Sequence, residues 1–254
     1  RQLKKFNSWL YEMINQRREQ ASQQDDLLDL LVNSQYKDGT PMTNDEIRDE
    51  CMTLLIAGYE TVASGMTWML YLLSQRPTIR TQLREEIQRV TGGQNPTFDH
   101  LPELTQVSQV VQESMRLYPP SWLISRRALA ADTIGGYDIP AGALLVVCPY
   151  AIHRHPDFWP QADTFDPTRF TAEAEKARHN YAYIPFGGGP HLCIGRPFAL
   201  MESQLTIATL LLHFDFELAI QPPIGKKPQV TIRPDGGVPL QLHSLSRKQK
   251  VFIK

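Results

Sequence analysis

The chain has 254 residues, 42% of them hydrophobic, and a formal net charge of −1. That length supports a substantial core in one or two domains, and the near-neutral balance leaves out the basic footprint expected for nucleic acid or an anionic membrane surface. Three widely spaced cysteines, Cys51, Cys148 and Cys193, are odd in number and do not make a disulfide framework.

A reducing, cytoplasmic setting and a soluble protein follow as expectations. No apolar run reaches the roughly 18 residues that a bilayer-spanning helix needs, and no signal peptide opens the sequence. The chain starts at Arg1, without an initiator Met and already inside a helical pattern (Leu3, Phe6, Leu10). It is therefore expected to be a piece of something longer.

Residues 1 to about 19 form an amphipathic helix, and Asp25-Asp26 open a short one over Leu27 to Val32, with acids at its positive end. After a turn at 37–41, Thr43-Asn-Asp-Glu46 reads as a capping box, with Met42 and Ile47 spaced for a hydrophobic staple. Apolar or small residues then recur at helical spacing up to Pro77. A helix of that length is about 45–50 Å long.

Within it lies Ala57-Gly58-Tyr59-Glu60-Thr61. A glycine inside a helix costs about 1 kcal/mol relative to Ala, and it commonly marks a place where something packs against bare backbone. Glu60 and Thr61 set an acid and a hydroxyl beside that place. A solvated Glu and a helix-bonded Thr account for them equally well at this point.

A charged helix over Ile79 to Val90 ends at Gly92-Gly93, and another runs from about Leu104 to Tyr118 before Pro119-Pro120. Glu113 and Arg116 are neighbours on its surface, a pair worth only about 0.2–0.5 kcal/mol if exposed. From Trp122 to Cys148 the pattern is β-like, with a strand near Ile124–Ala131, turns at Gly135-Gly136 and Pro140–Gly142, and a strand over Ala143–Cys148. Residues 171–183 read as polar and irregular. Val230–Leu242 reads as a hairpin turning at Pro234–Gly237, and a basic tail follows from Ser244 to Lys254. His153, His155, His179 and His213 show no ligand spacing and are expected to be surface or satisfied histidines.

The run Phe186-Gly-Gly-Gly-Pro-His-Leu-Cys193-Ile-Gly195-Arg196 precedes an apolar segment, Pro197 to Phe216, that reads as a buried helix. Glycine permits close approach of loop N–H groups to sulfur, and the helix N-terminus adds positive potential; both favour thiolate. One thiolate without further Cys or His at zinc spacing does not make a zinc site, whereas porphyrin-held iron needs a single protein ligand. A cysteine that is merely a small core residue stays open on this stretch alone.

The order of these stretches (Ala-Gly-x-Glu-Thr, Glu-x-x-Arg, Pro-x-Arg-Phe, then Phe-x-x-Gly-x-x-x-Cys-x-Gly) resembles the cytochrome P450 family, matching its C-terminal portion over about residues 1–243. The resemblance implies a mainly α fold with small antiparallel sheets and the N-terminal part missing. It implies haem b held through Cys193, with Phe186, Gly187, Gly189 and Gly195 shaping the loop and Arg126 and His191 reaching the haem propionates.

His191 stands where most of the family has Arg, and Thr168 where Glu is common. Gly58, Glu60 and Thr61 are implied to make room for dioxygen and deliver protons. Glu113, Arg116 and Arg169 are implied to form a structural ion cluster, and Pro120–Ser125 and Gly237–Leu240 to contact substrate. The implied activity is a monooxygenase acting on an apolar small molecule, with NAD(P)H electrons arriving through a ferredoxin or flavoprotein reductase. The alternatives are a peroxygenase, a hydroperoxide-rearranging enzyme, or a truncated chain with no activity of its own.

Overall fold

Helix α1 (Gln2–Glu19) buries Leu10 and Ile14 against Leu28 of α2 (Leu27–Val32) and Ile47 of α3 (Asn44–Ser74), with Met42 and Cys51 packed on the same cluster. The computed structural model describes residues 2–20 and 24–245, and the chain divides into two units, Arg1–Glu60 and Thr61–Lys254.

The first unit is held locally. Asp26 caps α2, accepting from the Asp29 N–H at 3.0 Å. The Arg17 guanidinium spans both carboxylates, at 2.7 Å from Asp26 and 2.5 Å from Asp29. The capping box of α3 closes in both directions: Thr43 N–H donates to Glu46 Oε2 (2.7 Å) and Glu46 N–H donates to Thr43 Oγ1 (3.2 Å).

The second unit contains the end of α3, then α4 (Pro77–Thr91) and α5 (Thr105–Leu117). Short strands β1 (Ile124–Arg127), β2 (Asp132–Ile134), β3 (Tyr137–Ile139) and β4 (Leu144–Val147) come next. Helices α6 (Pro149–Ile152), α7 (Ala172–Ala177) and α8 (Arg196–His213) follow, and then β5 (Phe214–Leu218), β6 (Lys226–Pro228), β7 (Ile232–Pro234) and β8 (Leu240–Ser244). This is a mainly α fold with small antiparallel sheets.

Its core joins Trp68 and Leu72 of α3, Ile87 of α4, Val111 of α5 and Ile207 and Leu211 of α8. Helix α5 has no side-chain cap of its own. Buried Glu86 of α4 does that work, accepting from the N–H groups of Gln106 (2.9 Å) and Val107 (3.0 Å). Trp68 stacks on Tyr118 with centroids 3.9 Å apart and donates from Nε1 to the Ile232 carbonyl at 2.8 Å.

Among the described residues there are four sheets, each two-stranded and antiparallel. β1 pairs with β4, setting Ile124 opposite Val147 and Arg126 opposite Leu145. β2 and β3 turn through Gly135 and Gly136, both at positive φ (58° and 84°), where glycine is the low-cost residue.

Four expectations need correction. The strand from Ile124 stops at Arg127, because Ala128 and Ala143 already lead into the connecting turns. Residues 171–183 are not wholly irregular: Thr171 caps α7 by accepting from Ala174 N–H at 3.3 Å. The apolar helix ends at His213, and Phe214–Phe216 belong to β5. Val230–Leu242 is not one hairpin, since β7 pairs with β6 and β8 with β5. The basic tail lies, apart from Ser244 and Leu245, outside the described residues. Among the described residues no helix is long and apolar enough to cross a membrane.

Candidate active site

The cysteine loop is built on two glycines that the backbone requires. Gly187 and Gly189 sit at φ +75° and +68°, a region costly for residues with a Cβ. They fold the chain back so that Cys193 N–H donates to the Phe186 carbonyl at 3.0 Å, closing the loop on itself. Gly188 is constrained differently: a Cβ there would lie 3.1 Å from Tyr181 Cε1. Gly195 forms the N-cap of α8, where a Cβ would come 3.9 Å from the Cys193 sulfur.

Cys193 therefore stands two residues ahead of the helix cap and is exposed. Around it Leu192, Ile194 and Phe198 are exposed as well, Ile194 at 89%. Large apolar side chains exposed together mark a surface that binds something. One expectation fails here. Among the described residues no hydrogen bond reaches the sulfur, because the loop amides of Gly187, Leu192 and Cys193 donate to the carbonyls of Ile184, Gly189 and Phe186.

Phe186 is half-buried at the loop's entry, with the Arg196 guanidinium 5.9 Å from its ring centroid. His191 is exposed at the end of the short 3-10 turn Gly189–His191. Strand β1 abuts the loop, since Ile124 Cδ1 lies 3.9 Å from a Cβ placed at Gly187. Arg126 shares that strand face, two residues on. It is exposed, and its Nη1 donates to the Ser125 carbonyl at 2.8 Å. Arg127, on the opposite face, donates to the Gly142 carbonyl at 3.1 Å.

Glu113 and Arg116 are fully buried and joined by two parallel bonds, Nε to Oε2 at 2.6 Å and Nη2 to Oε1 at 2.8 Å. Arg116 spends its remaining donors on the carbonyls of His153 (2.9 Å), Ala162 (2.7 Å) and Thr164 (3.0 Å). Glu113 also accepts from Asp166 N–H at 2.8 Å. Burial pushes the Glu113 carboxyl up, against the pull of Arg116. Arg169 stands further off than the sequence suggests: its Nε is 3.9 Å from Glu113 Oε1, and its Nη2 donates to the Pro160 carbonyl at 2.7 Å.

Gly58 and Glu60 close the first unit, and Thr61 opens the second on the same helix. Among the described residues a Cβ at Gly58 would meet no atom within 4 Å. Val238 and Leu240, expected near substrate, pack on the core of the second unit, and Trp122 Nε1 donates to the Gln229 carbonyl at 2.9 Å.

Residues 1–239 match the family model for Cytochrome P450. The chain belongs to the cytochrome P450 family. A putative cytochrome P450 132 of Mycobacterium tuberculosis is 36% identical over 93% of this chain and 50% of that protein. A pentalenene oxygenase of Streptomyces avermitilis is 32% identical over 99% of this chain and 53% of its own length. The crystal structure of the cytochrome P450DA heme domain superposes with a TM-score of 0.91 at 31% identity, covering 98% of this chain and 56% of that one. The chain thus spans about half the length of the P450 relatives it matches.

The P450 family implies haem, and the donor set fits it. Among the described residues no cluster of three His, Cys, Asp or Glu could hold a bare ion. A single accessible thiol beside outward-facing Leu192, Ile194 and Phe198 suits iron whose other ligands come with a macrocycle.

His153, expected to be a surface or satisfied histidine, is a satisfied one. It is completely buried and neutral, its pKa lowered to about 3 by burial. A lone His in the apolar run Tyr150-Ala-Ile-His153 carries no signal that separates it from an ordinary satisfied core histidine.

Proposed function

We propose that this chain is the haem-binding portion, residues 1–243, of a P450 monooxygenase that inserts one atom of dioxygen into an apolar organic substrate. The observation that carries the reading is Cys193: an exposed thiol on a glycine-shaped loop, next to the N-terminus of α8 and ringed by outward-facing apolar side chains. When bound, haem would supply the iron at which dioxygen is activated. Electrons would come from NAD(P)H through a ferredoxin or flavoprotein reductase.

The chain's own residues have separable tasks in this scheme. Cys193 would hold the haem iron through its sulfur, from its place two residues ahead of the α8 cap. Arg126 and His191 bind the propionates, the guanidinium as a two-pronged donor. Phe186 packs at the loop's entry, and Gly187, Gly189 and Gly195 let the backbone take its course past the cysteine. Glu60 and Thr61 would serve proton delivery, and Gly58 would leave room for dioxygen. Glu113, Arg116 and Arg169 keep the scaffold.

The deciding experiment is the absorption spectrum of the reduced, carbon-monoxide-bound chain loaded with haem. A thiolate-type long-wavelength Soret band supports the reading; failure to take up haem overturns it for this chain. Thr61→Ala is expected to uncouple electron consumption from product formation, measured as product per NAD(P)H; unchanged coupling favours a peroxygenase or rearranging enzyme. His191→Arg replaces an imidazole by a forked guanidinium that can bind a carboxylate through two parallel bonds. It is expected to slow haem transfer to apomyoglobin or leave it unchanged, and faster loss contradicts a propionate role.

A further inference from the structure

The buried histidine that the scheme leaves unused lies between the ion cluster and the cysteine loop. Its two ring nitrogens face opposite kinds of partner. Nδ1 is 3.3 Å from the Arg116 carbonyl, which can only accept, and Nε2 is 2.9 Å from the Ile184 N–H, which can only donate. That fixes one tautomer, protonated on Nδ1. A charged imidazole could not accept from Ile184, and the low pKa keeps the ring neutral throughout the physiological range.

We propose that His153 is a positioning residue for Cys193, tying the end of α5 to the segment that enters the cysteine loop. The path is short and polar at every step. Glu113 grips Arg116. The Arg116 backbone carbonyl orients the His153 ring, while the Arg116 guanidinium holds the His153 carbonyl at 2.9 Å. The ring takes the Ile184 N–H, and two residues on, the Phe186 carbonyl takes the Cys193 N–H at 3.0 Å.

Tyr183 runs alongside. Its hydroxyl donates to the Gln112 carbonyl of α5 at 2.9 Å, and its ring lies 5.2 Å from that of His153. Among the described residues the loop's backbone hydrogen bonds close onto the loop itself and the start of α8, so these two contacts fasten its entry to α5. His153 is the one of the two whose loss leaves a loop-entry N–H unsatisfied.

The test separates the two nitrogens. A Gln at 153 is long enough to place its carbonyl where Nε2 accepts, whereas Asn reaches only the Nδ1 position. Amide hydrogen exchange is read residue by residue on the chain, without haem. In the unaltered chain the Ile184 N–H is expected to exchange at least about 100-fold more slowly than the exposed turn N–H of Tyr181. His153→Gln is expected to keep most of that protection, and His153→Asn to lose it at Ile184 and at Cys193.

The second arm rests on the haem-thiolate reading. His153→Asn is expected to convert the reduced carbon-monoxide spectrum from thiolate-type toward thiol-type, and His153→Gln to restore it. An unprotected Ile184 N–H in the unaltered chain overturns the proposal, as does equal behaviour of the two variants in exchange. Protection that follows the Gln–Asn pattern in a chain without any thiolate-type band upholds the linkage and fails the haem reading instead.

Discussion

Cys193→Ser is expected to abolish the thiolate-type band of the reduced carbon-monoxide complex, and with it the oxygenase activity proposed for the whole protein, while leaving the fold's stability within about 0.5 kcal/mol. The two halves of this outcome have separate causes. The Cys193 side chain is exposed and makes no hydrogen bond among the described residues, so a serine hydroxyl there disturbs no packing and leaves no buried group unpaired. The backbone bond from residue 193 to the Phe186 carbonyl survives the change.

Iron ligation is another matter, because a neutral hydroxyl cannot donate electron density as a thiolate does. Loss of an outer partner of a metal ligand costs roughly 10–100-fold in affinity or activity, and loss of the ligand itself should exceed that. Spectra and denaturant midpoints measured on the same preparation check both parts. A thiolate-type band that persists in Cys193→Ser would move the ligand to Cys51 or Cys148, both only half-buried.

What could be read from sequence follows the range of the interactions. The capping box at Thr43 and Glu46 is complete within four residues, and the structure has both of its hydrogen bonds. The α2 cap at Asp26 and the glycine end of α4 are local in the same way. Several of the readings that failed depended on partners outside the segment read. The segments at 232–234 and 240–244 look like two arms of a hairpin, yet each pairs with a strand the turn residues say nothing about. The apolar run Leu210–Phe216 continues without interruption from α8 into β5, and periodicity over so few residues does not divide them.

The site shows the same split. Glu113 and Arg116 are visible as an i,i+3 pair, but the three carbonyls on Arg116 come from chain 37, 46 and 48 residues away. The cysteine loop was recognised through the order of four motifs, not through its own spacing. That no hydrogen bond reaches its sulfur among the described residues, and the bonds of the His153 ring to Arg116 and Ile184, are visible only in three dimensions.

Arg116→Ala carries the largest expected cost to stability. The guanidinium makes five hydrogen bonds, two to Glu113 and three to backbone carbonyls. Its removal leaves the Glu113 carboxylate buried with Arg169 as its nearest cation, at 3.9 Å and without a hydrogen bond from Nε. Breaking a buried pair by deleting one member typically costs about 3–5 kcal/mol, a large part of the roughly 5–15 kcal/mol that holds a domain folded.

Arg116→Lys is expected to recover little, since an ammonium cannot form the fork or reach three carbonyls at once. The pairing makes a sharper claim about the double variant. Once Arg116 is absent, Glu113→Ala removes an uncompensated buried charge, so the double variant should be less destabilised than the sum of the two single changes. Additive losses in denaturant titrations would mean that each residue acts through its own backbone contacts rather than through the ion pair.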